Sequence, residues 1–316
     1  MFRVLVIVLL ASTIAFAARG ERRRTAAAKQ ESVQIQVQRQ FIVASIPALG
    51  ALSREILRGV PVDVIEPFGA DFSIDELDGI AAEYSDELDE IAPFTVAVVG
   101  IRSIIPNDPT FVQIRHRNIR VVEIDCAIPP SPIVSAIRTI RAPSGEVNPF
   151  AWLSLANAVR MAEILESDFR ALFPQYASEI SANLLDFKRR AFALRNEYTR
   201  KFLEIDNFSA VALSGIFDYF LMDIDLFVLE RFSPEYDWNE EAIQSFRHLV
   251  ESGDVGVVIN RWETGAPAAQ IMAAQGVKTA VLRTGLPARS DDFIDGFLGF
   301  FEKNVLAITI ALGINE

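Results

Sequence analysis

The chain has 316 residues, 51% of them hydrophobic and 23% charged, with a formal net charge of −12. That balance describes a globular chain able to bury a large core, as one domain or two lobes, and excludes a disordered one. The acidic excess argues against nucleic acid and anionic membrane surfaces as partners, because neither attracts a negative protein.

Residues 1–17 read as a secretory signal peptide. Arg3 supplies a basic start, "VLVIVLLASTIAFA" an apolar run, and Ala15-Phe16-Ala17 a small-x-small cleavage pattern. As a helix this run reaches roughly 21 Å, short of the roughly 30 Å hydrocarbon core, so a permanent anchor is the weaker reading. Set against export is "RGERRR" (Arg19 to Arg24), basic charge just after the apolar stretch, which leaves open whether cleavage is delayed or prevented. No cysteine stands near the cleavage site, so a lipoprotein is not indicated, and the expected location is periplasmic or secreted. The single cysteine, Cys126, lies in the apolar "VVEIDCAI" and reads as a buried structural thiol.

After a polar segment (18–32) the chain enters "SVQIQVQRQFIVASI", a strand by its alternation and following apolar run. "ALGALSREILRG" predicts a helix ending at Gly59, "VPVDVIEP" a strand, and further strands fall at 94–100 and 119–126. The rhythm returns with strands at 208–214, 225–232, 254–260 and 277–283 and a closing helix from about Asp291. Repeated strand, helix, strand order implies an α/β fold of two lobes, each a parallel sheet flanked by helices. Between the lobes (33–147 and 207–316) lies a helical block (148–206) broken once at Phe173-Pro174, where proline suits a first helical turn. From Pro174 to Glu204 neither Gly nor Pro recurs, and a helix of that length spans roughly 46 Å, enough to join the lobes stiffly.

"NPFAWLSLANAVRMA" (148–162) resembles the "NPHxWLDPxNAxxMA" signature of the metal-binding receptors that serve zinc and manganese ABC importers. "PFGADF" (67–72) is similar to that family's "PPGADPH" loop, "ALSGIFDYF" (212–220) to its "xTSHDAFGYF" turn, and "SIPALGALSREI" to its first strand-to-helix passage. The resemblance implies two α/β lobes on a rigid linking helix, with metal held between them by histidines and one carboxylate. Carried across by position, those ligands become Ser73, Phe150, Gly215 or Ile216, and Arg283 or Thr284. Phenylalanine donates nothing to a metal and arginine repels one, so the usual site should hold none.

Each position also has a plainer reading. Ser73 opens "SIDE", a capping box with Glu76. Phe150 either lines the cleft or packs in the core, and Trp152 is a core residue. Arg283 could grip an anion, and Asp71, Asp218 and Glu263 could contact a ligand, although turns and caps claim such residues more often. Helix entrances after Ser73 and near Gly215 would offer N–H groups to an anion. The acidic run Glu83, Asp86, Glu87, Asp89 and Glu90 reads as a solvated face, and His116 and His248 have no partner at metal or triad spacing. None of the P-loop, G-x-G-x-x-G, H-E-x-x-H or G-x-S-x-G motifs is present, so no enzyme is indicated.

Three readings stay open. In the first, an exported, monomeric solute receptor delivers a small non-metal solute to an ABC permease and needs no cofactor. In the second, zinc or manganese is still bound through other carboxylates. In the third, the fold survives as a structural or interaction protein.

Overall fold

Four short apolar runs, Phe41–Ala44 (β1), Asp63–Ile65 (β2), Thr95–Gly100 (β3) and Val122–Asp125 (β4), pair in parallel in the order β2-β1-β3-β4. A second set repeats it: Ser209–Ala212 (β5), Phe227–Arg231 (β6), Val257–Asn260 (β7) and Lys278–Val281 (β8) pair as β6-β5-β7-β8. In each sheet the inner strands β1, β5 and β7 are buried at every position and β3 at all but one, whereas the edge strands keep exposed residues. Continuous apolar strands are what a parallel sheet covered on both faces requires. In each sheet the chain reverses direction between the two inner strands, β1 and β3 or β5 and β7, which places a switch-point crevice at their carboxyl ends.

This computed structural model describes residues 39–314 apart from 69–71, 134 and 143–144. The signal peptide, the polar segment and the start of the first expected strand lie outside the described residues. From Gln40 onward the chain forms a single compact unit. No helix among the described residues is long and apolar enough to cross a membrane.

Two antiparallel helices tie the sheets together: α5 (Leu155–Leu172) and α6 (Ala177–Phe202). They follow α1 (Pro47–Ile56), α2 (Leu77–Glu83), α3 (Ser85–Ile91) and α4 (Thr110–Arg117) of the first half. The break falls at Phe173-Pro174 as expected, with a turn of 3-10 helix over Pro174–Tyr176. At roughly 1.5 Å per residue α6 reaches about 39 Å. Its buried residues Ile180, Asn183, Phe187, Ala191, Leu194, Tyr198 and Phe202 recur every three or four positions, one apolar stripe along its length. Near its start Asn183 Nδ2 donates to the carbonyls of Ile56 (3.0 Å) and Arg58 (2.8 Å), closing the end of α1. Near its end Phe202 stacks on Phe208, at 4.6 Å between ring centres.

The second half adds α7 (Asp218–Asp223), α8 (Glu240–Glu251), α9 (Ala268–Gln275) and α10 (Gly296–Ala311). The closing helix starts at Gly296, five residues later than its sequence suggests. Asp291 and Asp292 are engaged by Arg283 and Asp292 also accepts from the Arg289 amide, so this stretch is held as turns until Gly296, whose φ of +76° ends them. The Gly296 Cα also approaches Glu55 of α1: a Cβ there would lie 2.8 Å from its carboxylate, which pairs with Arg190 of α6.

Candidate functional site

The segment Asn148–Ser154 crosses from one half to the other and is bonded into the second. Asn148 Nδ2 donates to the Gly215 carbonyl (2.8 Å), and its Oδ1 accepts from the Phe150 amide (3.0 Å), which fixes the turn carrying the phenyl ring. Trp152, fully buried, donates its indole N–H to the Thr284 carbonyl at 2.8 Å. Phe150 retains 9% exposure and lies 5.2 Å from the Trp152 ring. Three of the expected cleft positions, Phe150, Gly215 and Thr284, are therefore linked to one segment. No hydrogen bond joins Ser73 to that group among the described residues.

Tyr219 of α7 holds the same segment from behind. Its hydroxyl donates to the Asn148 carbonyl (3.1 Å) and accepts from the Ile140 amide (2.9 Å), pinning both ends of a small antiparallel bridge between Arg141 and Val147. Burial pushes its phenol above the ordinary value, so it remains a donor throughout the physiological range. Asn157, one turn into α5, donates to the Arg138 (2.9 Å) and Ala151 (3.1 Å) carbonyls and accepts from the Arg138 amide (2.8 Å).

The entrance to α5 has no charged residue of its own because a carboxylate arrives from elsewhere. Asp223, at the end of α7, accepts from the Ala156 amide at 3.0 Å, while Ser154 caps the Asn157 amide at 3.0 Å. An anion at a helix N-terminus is favourable, and here the protein supplies it internally. Burial, the largest influence on Asp223, raises its carboxyl despite these donors.

The remaining candidates separate. Ser73 is half-buried and closes the capping box, its amide donating to Glu76 Oε2 at 2.6 Å. Thr284 is 3% exposed, with its hydroxyl donating to the Leu286 carbonyl at 2.9 Å. Gly215 is exposed and opens a 3-10 turn (Gly215–Phe217) whose Ile216 amide is already taken by Ser214 Oγ at 3.2 Å. Both suggested anion-binding helix entrances thus have an internal acceptor. Asp218 accepts from Arg231 Nε at 2.8 Å. Arg283 contacts Asp291 at 2.8 Å and Asp292 at 2.9 Å, so carboxylates already neutralise it. Glu263 is exposed; Asp71 lies outside the described residues. His116 and His248 are exposed on α4 and α8, and the acidic run is solvent-facing, Asp89 pairing with Arg117. Among the described residues no three of His, Cys, Asp and Glu converge in a way that could hold a metal ion.

One residue escaped sequence reading. Arg261 directly follows β7, beside the β5/β7 crevice, and its guanidinium donates to the Leu286 carbonyl (3.2 Å) that Thr284 also uses. The signal was present in "VVINRWETG", a cation placed immediately after a wholly buried strand.

The architecture has relatives among solved structures. A Cd-bound periplasmic metal binding protein from Candidatus Liberibacter asiaticus superposes with a TM-score of 0.68 at 15% identity, covering 87% of this chain and 100% of its own. The Zn(II)-bound ZnuA-like domain of AdcA from Streptococcus pneumoniae gives 0.65 at 16% identity over 87% and 99%. A mutant of the laminin-binding adhesin Lmb from Streptococcus agalactiae gives 0.64 at 17% over 86% and 98%. At such identities the likeness establishes the fold. No curated protein matches the sequence. The family model for ZnuA, the periplasmic component A of zinc-uptake complexes, does match, over residues 113–311, and the chain belongs to that family.

Proposed function

We propose that this member of the family captures a small non-metal solute in the cleft between its two halves and passes it to an ABC permease. One reading of the sequence carries the proposal: the positions that the resemblance sets against the family's metal ligands hold Ser73, Phe150, Gly215 or Ile216, and Arg283 or Thr284, none of them a histidine or carboxylate. Zinc cargo needs several donors converging at about 2.0–2.3 Å. Phenylalanine has none, the Thr284 hydroxyl is engaged with Leu286, and its carbonyl is engaged with Trp152. The residues described do not suit a transition ion.

The action is capture and release rather than catalysis. Phe150 turns one wall apolar, as small-molecule clefts usually are. The linking helices, packed along both halves, limit closure to small movements. The proposed mature protein starts after Ala17, works in the periplasm as a monomer and needs no cofactor.

The test is zinc and manganese analysis of untagged protein, with titration calorimetry of each ion and native mass spectrometry of gently purified material. Submicromolar, stoichiometric binding of either metal overturns the proposal in favour of metal transport through other carboxylates. Absence of metal together with a co-purifying small molecule supports it. Absence of both metal and any thermal stabilisation by small solutes favours the interaction protein.

A further inference from the structure

We infer that Arg261 anchors an oxyanion, a carboxylate or phosphate, carried by the solute bound in this cleft. The inference rests on the non-metal reading and adds the chemical class of the ligand.

Three of the four strands in the second sheet finish at an arginine: β6 at Arg231, β7 with Arg261 next in line, and β8 with Arg283 two residues on. Two of these charges are neutralised locally, Arg231 by Asp218 (2.8 Å) and Arg283 by Asp291 (2.8 Å) and Asp292 (2.9 Å). Arg261 has no carboxylate partner among the described residues, although it follows the inner strand β7 beside the switch-point crevice. Ligands of open α/β sheets bind at such a crevice.

The side chain is also held in place. Asn260 Oδ1 accepts from the Arg261 amide (2.8 Å), and Asn260 Nδ2 is tied to Glu235 Oε2 (3.2 Å). The guanidinium carbon stands 5.0 Å over the Trp262 ring, and Nη2 reaches the Leu286 carbonyl at 3.2 Å. A guanidinium offers five N–H donors in a fixed fork; one is accounted for here. A half-buried cation without a counter-ion is destabilising. Burial and the neighbouring positive charge of Arg289 both push the Arg261 guanidinium below its ordinary value. An oxyanion would offset the guanidinium's charge and satisfy the free edge of the fork.

Leu286 connects this fork to the apolar wall. Its carbonyl also accepts from Thr284, whose own carbonyl holds Trp152 beside Phe150. A charged group at Arg261 with an apolar body reaching toward Phe150 uses both surfaces.

The experiment compares the mature wild type with Arg261→Gln, Arg261→Lys and Arg200→Gln, the last a matched charge change at the far end of α6. Benzoate, acetate, inorganic phosphate and neutral benzamide are tested at millimolar concentration by thermal shift and calorimetry. The expected result is stabilisation by an oxyanion. Affinity should fall at least about tenfold in Arg261→Gln, fall less in Arg261→Lys and stay unchanged in Arg200→Gln. Preference for benzoate over phosphate would assign a carboxylate, and the reverse a phosphate. Without ligand, Arg261→Gln should melt no lower than wild type, because it removes an uncompensated charge. Equal oxyanion affinity in Arg261→Gln, no shift with any anion, or a co-purifying ligand without an acidic group overturns the inference while leaving the non-metal reading standing. Stoichiometric zinc would instead remove that reading.

Discussion

Replacing Asn157 with alanine should loosen the whole segment that carries Phe150. The side chain is buried and makes three hydrogen bonds, to the Arg138 and Ala151 carbonyls and from the Arg138 amide. Each buried polar group left without a partner costs about 1–3 kcal/mol. Arg138 is exposed, so water can re-solvate part of its backbone, whereas Ala151 is fully buried. The expected loss is therefore about 2–4 kcal/mol, read as a lower urea midpoint at unchanged slope. Asn157→Asp sharpens the test: it keeps the acceptor for the Arg138 amide but sets a carboxylate against two carbonyls. At neutral pH it should be at least as destabilised as the alanine variant, recovering part of the loss on acidification as the carboxyl protonates. A stability within about 0.5 kcal/mol of wild type for Asn157→Ala, or wild-type stability for Asn157→Asp at pH 7, would refute the reasoning.

Gly296→Ala should cost about 2–3 kcal/mol in urea unfolding, since its φ of +76° disfavours a Cβ and the new methyl would displace the Glu55 carboxylate. Gly276, at φ +71° with open space around it, isolates the backbone contribution at about 1 kcal/mol; equal losses at the two sites would dismiss the close approach. Burial raises the Asp168 carboxyl, so between its unfolded and folded values the native state keeps a proton that the unfolded chain has lost. Stability from this group accordingly falls as pH rises through that window. Asp168→Asn should raise the melting temperature at neutral pH and leave it unchanged in acid, and the opposite pattern in a melting series would reject the assignment. On the proposed reading Phe150→His alone should not create a zinc site in calorimetry, and stoichiometric binding by that variant would count against the non-metal reading.

The strands were legible because the inner ones are unbroken apolar runs, and the helix break was legible because Pro174 cannot be mistaken. The segment Asn148–Ala162 was legible as a motif, but what its residues hold was not. Asn148, Trp152 and Asn157 bond to backbone carbonyls, which leave no mark in a side-chain pattern. The carboxylate at the α5 entrance could not be found locally, since Asp223 comes from a helix beyond the whole linking block. Arg283 and Arg261 look alike in sequence, each a cation after a strand. What distinguishes them is the presence or absence of a nearby carboxylate, a property of the folded chain.

On the proposed reading, a cation at the end of an inner strand bears on cargo alongside the residues at the expected ligand positions. A guanidinium sharing a partly buried cleft with a divalent ion opposes that ion electrostatically, because like charges repel more strongly where water is displaced. Placing one histidine at Phe150 would add one donor and leave that repulsion in place. The same charge favours an oxyanion, so on the proposed reading an aromatic ring at Phe150 and an Arg261 without a carboxylate partner among the described residues act in one direction. Since the linking segment is bonded to both Gly215 and Thr284, a solute touching Phe150 and Arg261 together would bridge the segment and the second sheet. Its binding would then stabilise the docking of that segment on the second sheet.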